Sequence, residues 1–328
     1  MRIAVTGSIA TDHLMTFPGR FADQLLPDQL AQVSLSFLVD ELQIRRGGIA
    51  PNICFGMGSL GKESVLVGAV GADFADYRSW LERHGVDTES VHVSEIHHTA
   101  RFLCTTDQDQ NQIATFYAGA MSEARSIELK PVADRIGGLD LVMISPNDPE
   151  AMLRHTDECR TRAFPFAADP SQQLARMDGT DVRRLIDGAA YLFSNEYEKA
   201  LCEEKTGWTG EEILSRVGVR VTTLGAKGVV IDRAGEEGVH VPCVEVQKVV
   251  DPTGVGDAFR AGFLSTLSWG LSLERAAQVG NTVAAYALEA AGPQEYTLAR
   301  RAFLDRFGDA FGADAVAEIE PHITCPTP

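Results

Sequence analysis

Val249-Val250-Asp251-Pro252-Thr253-Gly254-Val255-Gly256-Asp257-Ala258-Phe259-Arg260-Ala261-Gly262-Phe263-Leu264 reads as an apolar pair, a glycine turn and the start of an apolar helix. Glycines directly before a helix leave several main-chain N–H groups unpaired and unobstructed, and the helix dipole adds partial positive charge there. The stretch from Gly254 to Asp257 is therefore an anion hole, with Gly254 and Gly256 as its lining and a carboxylate, Asp257, in the same turn. A base so placed takes the proton of a hydroxyl that attacks a transferring phosphoryl group. A lone Gly-x-Gly-Asp is more often a plain helix cap, so the assignment depends on the rest of the chain.

Outward from this turn, short β-rich apolar runs at 3–6, 65–70, 139–144, 166–169, 191–194 and 219–223 alternate with helical patterns. The helical patterns fall at 52–60, 73–83, 149–162, 180–187, 196–205, 257–269 and 273–291. Runs that are apolar on both faces and separated by helices predict parallel strands in a βαβ sheet. The fold class is thus α/β: a three-layer α/β/α, mostly parallel sheet with helices on both faces. Two segments break the period, 32–46 and 99–117, and both alternate polar with apolar residues as half-exposed strands do. Neither carries enough apolar residues to fold alone. Together they predict a small β-sheet lid, inserted at about 13–48 and 98–119 into one domain spanning 1–328. The tail 308–328, ending Pro-Thr-Pro, is expected to be partly frayed.

With 328 residues, 45% hydrophobic and 23% charged, the chain can bury a full core. A formal net charge of −17 argues against nucleic acid or an anionic membrane as partner, since both need basic patches. Any anionic substrate must be held by local geometry. The 6 cysteines include no Cys-x-x-Cys pair and no histidines stand at metal-ligand spacing, so they read as buried thiols in a reducing compartment. The chain opens as a strand, and its apolar runs fall short of the roughly 20 residues that span a bilayer. A cytoplasmic protein is expected.

Arg46-Gly47-Gly48-Ile49-Ala50-Pro51-Asn52 follows a lid-like strand and opens a helix. The glycine pair permits a hinge and close approach to a ligand, and Asn52 can present an amide to sugar hydroxyls. This segment and the Asp257 turn, in this order, resemble the ribokinase (PfkB-type) family of sugar and nucleoside kinases over nearly the whole chain. The resemblance implies an ATP-dependent phosphotransferase with an alcohol acceptor, using Mg²⁺ with ATP. Ser194-Asn195-Glu196-Tyr197-Glu198 matches an Asn-x-x-Glu pattern that, by resemblance, organises water and Mg²⁺ around the phosphates through Asn195 and Glu198. An Asn at a strand end is equally an ordinary N-cap. Thr222-Thr223-Leu224-Gly225-Ala226-Lys227-Gly228 resembles the nucleotide loop of the family. There Thr223 and Gly225 approach the ATP phosphates and Gly228 permits the turn, while Lys227 is more often a solvated loop charge. The family pattern Asp-Thr-x-Gly-x-Gly-Asp has Pro252 in place of its threonine, which fixes φ and removes an N–H. K⁺ activation, which many relatives draw from this turn and a later glycine loop, is left open, with Asp251 and Gly292 as its contributors.

Ser8 and Asp12 emerge beyond the first strand, on the carboxyl side where open α/β sheets bind ligands. In the resembling kinases an Asp near this position grips the secondary hydroxyls of the sugar and leaves the primary hydroxyl toward the catalytic Asp. The lid segments carry Phe37, Phe102, Phe116 and Tyr117, with Phe102 and Phe116 on the two arms of one hairpin. Two such rings can sandwich a flat base, a gain of roughly 1–3 kcal/mol per stacked base, although sheet packing explains each ring separately as well. Gln172 and Gln173 offer amides to the edge of a purine. The set Ser8, Asp12, Ser36, Gly48, Asn52, Phe102, Phe116, Gln172 and Gln173 looks like that of the bacterial adenosine kinases of the family. Adenosine plus ATP giving AMP plus ADP is the first choice. Ribokinase, fructokinase or another nucleoside kinase is the close rival, and a nucleotide-responsive binding protein on the same scaffold is the non-enzymatic one. Exposed apolar lid positions such as Leu35, Phe37 and Val39 leave a face for a second subunit, predicting a homodimer through the lid.

Overall fold

The computed structural model of the chain describes residues 1–25 and 36–325. Strand Ile3–Thr6 shows why helices cover both faces of the main sheet. Ile3 and Val5 join one buried cluster with Met57 and Phe263, whereas Ala4 joins another with Val142 and Leu185. Successive side chains leave a strand on opposite faces, so a run that is apolar at every position needs cover on both. The sheet is nine-stranded, in the order Val239–Val241, Val229–Asp232, Val219–Thr223, Tyr191–Asn195, Phe166–Ala168, Leu141–Ile144, Ile3–Thr6, Ser64–Val67, Val86–Asp87. Every neighbouring pair from Val219–Thr223 to Val86–Asp87 is parallel. The first two strands of that order add an antiparallel edge that the sequence reading did not anticipate.

The crossover helices fall close to where the periodicity placed them, with Pro149–Arg162 matching to the residue. Helix Ile49–Ser59 begins three residues before Asn52 and tolerates Pro51 because the first-turn N–H groups have no intrahelical partner. The run at 65–70 divides into Ser64–Val67 and Ala69–Val70, the latter pairing with His92–Val93. Over its described residues, to 325, the tail is packed rather than frayed: Arg300–Phe311 and Ala313–Ile319 are helices, and Phe303, Phe307, Ile319 and Ile323 are buried in a third cluster with Phe55. The buried apolar face of these helices outweighs the Pro-Thr-Pro signal, whose last three residues lie outside the described ones.

The lid is a four-stranded sheet ordered Glu41–Gly47, Ala10–Thr16, Ala100–Thr106, Gln112–Tyr117. Its second strand corrects the expectation for Asp12. The chain leaves the large sheet at Thr6 and enters the lid as Ala10–Thr16, antiparallel to Glu41–Gly47 and parallel to Ala100–Thr106. Among the described residues of the segment 32–46, strand begins at Glu41 and runs on to Gly47; Ser36 to Asp40 has none, and residues 32–35, including Leu35, lie outside the described residues. Phe37 packs on Phe17 and Phe21, with ring centroids 4.9 and 5.3 Å away. The hinge at Gly48 is a position that only glycine fills. Its φ is +93°, and an added Cβ would stand 2.5 Å from the Ser8 carbonyl oxygen. Among the described residues no helix is long and apolar enough to cross a membrane.

Candidate active site

Beyond the carboxyl ends of the parallel strands lies a cleft of about 810 Å³, floored by the large sheet and roofed by the lid. Strand ends deliver Asp169, Asn195 and Thr223 to it, and the lid contributes Asp12, Gly47 and Phe116. Gly254, Gly256 and Asp257 enter from the start of helix Val255–Ser268. This is the place at which open α/β sheets bind ligands.

The helix start has the form the sequence implied. Gly254 is its N-cap at φ 76°, no side chain caps it, and a Cβ there would lie 2.4 Å from Pro293 Cβ. The N–H of Ala258 donates to the Gly254 carbonyl at 2.9 Å, so the amides of Gly256 and Asp257 precede that bond and remain for an anion. Asp257 Oδ2 accepts from Asn52 Nδ2 at 2.9 Å. Burial pushes the Asp257 carboxyl up to about 7; the Asn52 bond and the Arg260 charge pull it down, and Asp169 pushes it up. Asn52 therefore turns one amide hydrogen to the carboxylate, a use the sequence reading had not foreseen.

Sequence reasoning missed the groove's buried ion pair. Arg260, one turn beyond Gly256, donates from Nη1 to the Gly256 carbonyl at 3.0 Å and from Nη2 to Asp169 Oδ1 at 2.7 Å. Asp169 is 1% exposed and Arg260 7%. Burial raises Asp169 to about 6 against the pull of the guanidinium. The signal was an arginine inside the otherwise apolar Ala258-Phe259-Arg260-Ala261-Gly262-Phe263, because a buried cation requires a partner. Arg176 was also missed: it lines the cleft and has no ion pair among the described residues.

Other predicted residues divide between cleft and scaffold. Ser8, Gly48, Asn52 and Gln172 line the cleft, as do Thr223 and Gly225. Asp12 lines it from the lid, its carboxyl raised by burial and lowered less by Arg45. Gln173 reaches it too, but its Nε2 gives one hydrogen to the Asn147 carbonyl at 2.7 Å, and its Oε1 is buried without a partner. Phe116 reaches the cleft at 48% exposed; Phe102, directly opposite both Phe116 and Asp12 in the register and so on the same face of the lid, is not among the residues lining the cleft. Ser36 also lies outside, because the strand expected to carry it is absent at that position. Lys227 is a surface charge with Nζ 3.9 Å from Glu196, and Gly228 serves the turn at φ +100°, against the Val241 carbonyl.

Asn195 and Glu198 form a capping box: Asn195 Oδ1 accepts from the Glu198 N–H at 2.8 Å, and Glu198 Oε2 accepts from the Asn195 N–H at 2.9 Å. Ser171 Oγ donates to Glu198 Oε1 at 3.1 Å. Both Glu198 oxygens thus already accept hydrogen bonds, and a Mg²⁺ arriving with a nucleotide would meet these two residues through water. The turn at Asp251 does not fit a monovalent cation. There Oδ2 accepts from Arg45 Nη1 at 3.0 Å and Oδ1 from the Thr253 N–H at 2.9 Å, so a lid arginine already occupies the carboxylate.

Residues 7–299 match the model of the pfkB family carbohydrate kinases, and the chain belongs to that family. It is thus an ATP-dependent kinase that phosphorylates a hydroxyl of a sugar or nucleoside. It is 32% identical over 253 residues to a nucleoside kinase of Methanocaldococcus jannaschii, covering 76% of this chain and 80% of the relative. The ligand-free nucleoside kinase of Burkholderia thailandensis superposes with a TM-score of 0.85 at 36% identity, covering 93% of this chain and 99% of that one. The same kinase in complex with inosine gives 0.81 at 35% identity, over 95% and 98% of the two chains.

Proposed function

We propose that the protein is a nucleoside kinase that transfers the γ-phosphoryl of ATP to the 5′-hydroxyl of a purine nucleoside. The observation that carries this reading is Asp257, half-buried at an uncapped helix start beside the unbonded amides of Gly256 and Asp257, under a cleft roofed by Asp12 and Phe116. Asp12 suits the ribose secondary hydroxyls, and Phe116 offers one face to a flat base. Adenosine is the first substrate choice, on the amides of Gln172 and Gln173. A second reading, inosine, is favoured by Arg176: a guanidinium only donates, so it pairs with a 6-oxo group and not with a 6-amino group. The similarity to the inosine-bound kinase supports it.

In this mechanism Asp12 fixes the ribose so that its 5′-oxygen faces Asp257, and lid closure excludes water. Asp257 accepts the hydroxyl proton as the oxygen–phosphorus bond forms and ADP departs. The amides of Gly256 and Asp257 take the charge on the transferring oxygens, and positioning outweighs basicity because such transfers are loose. Mg²⁺, when bound with ATP, neutralises charge on the phosphates. Release of ADP from Mg-ATP with adenosine, inosine, ribose and fructose side by side tests the assignment. Turnover is expected on a purine nucleoside; fast turnover on a free pentose or hexose with none on either nucleoside overturns it.

The reading includes a homodimer through the lid, whose Leu42 and Ile44 are 53% and 61% exposed on the edge strand Glu41–Gly47. Sedimentation is expected to show a dimer at micromolar concentration, and a monomer alone removes this part. The buried free thiols Cys54, Cys104, Cys159 and Cys202 suit a reducing compartment such as the cytoplasm.

A further inference from the structure

We infer that Trp80 and Gln294 are positioning residues that fix which way the Asn52 amide faces, and so hold Asp257 as an acceptor with one oxygen clamped and the other free for substrate. The inference rests on Asp257 being the base. Its origin is the indole of Trp80, which donates and cannot accept. Trp80 Nε1 donates to Gln294 Oε1 at 3.1 Å, so the oxygen of that amide faces Trp80. Its nitrogen must then face the other way, and its two hydrogens have two takers: Asn52 Oδ1 at 2.8 Å and Tyr77 Oη at 2.5 Å. Tyr77 in turn donates to the Gly47 carbonyl at 2.9 Å. With Asn52 Oδ1 committed to Gln294, Asn52 Nδ2 is left to face Asp257 Oδ2 at 2.9 Å.

Polarity thus propagates from one donor-only ring through two amides to the carboxylate. Turning either amide over sets oxygen against oxygen and N–H against N–H. No solvent repairs such a fault, because Gln294 is 2% exposed and Asn52 and Tyr77 are each 5% exposed. A buried mismatch of this kind leaves each unpaired group without the hydrogen bond that offsets its loss of water. The chain is also moored at the lid hinge. Gly47 receives the Tyr77 hydroxyl, the Arg46 guanidinium lies 4.2 Å from the centre of the Trp80 ring, and that ring stacks on Phe55. Tyr77 and Trp80, three residues apart, share one face of helix Ala75–Arg83.

The other groups that act on Asp257 are charged or titratable. They are Arg260 from its own helix and Asp169 from the end of strand Phe166–Ala168; Tyr296, from the segment after helix Leu273–Leu288, is itself raised by burial and by the charge of Asp257, and Glu198 acts on the Arg260–Asp169 pair. Asn52 is the neutral contact, and its direction can be reversed. Facing Asp257 with its nitrogen, it favours the carboxylate; facing it with its oxygen, it would favour the protonated acid.

The test is the pH dependence of kcat and kcat/KM, from about pH 5.5 to about pH 9, in Gln294→Met and Trp80→Phe, with Mg-ATP and the better purine nucleoside. The acid limb is expected to move up by roughly half to one pH unit, lowering kcat near pH 6.5 by about 3- to 10-fold, with recovery at high pH and an unchanged KM for ATP. The double variant should shift no further than the larger single one, because both cut the same chain. A purely structural role predicts a lower melting temperature and a kcat scaled equally at every pH. Trp80→Phe keeps a ring on Phe55 and decides the matter if Gln294→Met does not fold. Folded variants whose acid limb stays at the wild-type midpoint overturn the inference. The base reading fails separately, through an Asp257→Asn enzyme that still turns over.

Discussion

Asp257→Asn is expected to lower kcat by roughly 10²- to 10⁴-fold while the KM values for ATP and nucleoside change little. The substitution keeps the size of the side chain and the hole formed by the amides of Gly256 and Asp257, and removes only the ability to accept a proton. The same variant should melt higher than the wild type at pH 8. Burial raises the folded-state carboxyl from the ordinary carboxylate value of 3.8 to about 7, so the folded protein holds this proton more tightly than the unfolded chain does. Stability from this group is complete below about pH 4 and is lost as the pH climbs through about 7. An asparagine has no such penalty. Steady-state kinetics and melting curves of the two proteins at about pH 5 and about pH 8 check both statements. Near-normal kcat in the variant would remove the base from the mechanism.

Arg260→Met is expected to cost about 3–5 kcal/mol of stability at pH 8, since it leaves the Asp169 carboxylate buried without a counter-charge. The loss should shrink toward pH 5. Asp169 has a folded-state value already raised to about 6, and without Arg260 it rises further, so at low pH the group is protonated in the folded variant and no bare charge is buried. Denaturant midpoints at the two pH values measure this, and adding Asp169→Asn to Arg260→Met should return much of the stability lost at pH 8. A pH-independent loss, or one below about 1 kcal/mol, would mean that the pair is not buried as the structure has it.

The large sheet was legible in the sequence because parallel strands covered on both faces must be apolar at nearly every position, and Ile3 to Thr6, Leu141 to Ile144 and Phe166 to Ala168 are so. The glycine turn before Asp257 was legible for a related reason: few residues besides glycine fit against Pro293 at φ 76°. What remained hidden depends on distance along the chain. Strand Ala10–Thr16 is half-buried and does not alternate, with Thr11, Asp12 and His13 polar in a row before Leu14 and Met15, and it becomes a strand only because Glu41–Gly47 and Ala100–Thr106 flank it. The partner of Arg260 lies 91 residues away and that of Gln294 lies 242 away, so neither contact leaves a local pattern. Phe102 and Phe116 were correctly set on one hairpin, yet which ring reaches the cleft follows from how the lid sits over the sheet. Likewise Asn195 and Glu198 match a phosphate-site pattern and an N-cap pattern at once, and the structure shows the capping box.

The most direct test is a single-turnover measurement of phosphoryl transfer from Mg-ATP to the better purine nucleoside, followed across pH in the wild type. The account predicts a rate that falls below a single ionisation with a midpoint near about 7, the value to which burial raises Asp257. A rate that stays level from about pH 5.5 to about pH 8.5 would contradict it, because no buried carboxylate would then be accepting the proton of the attacking hydroxyl.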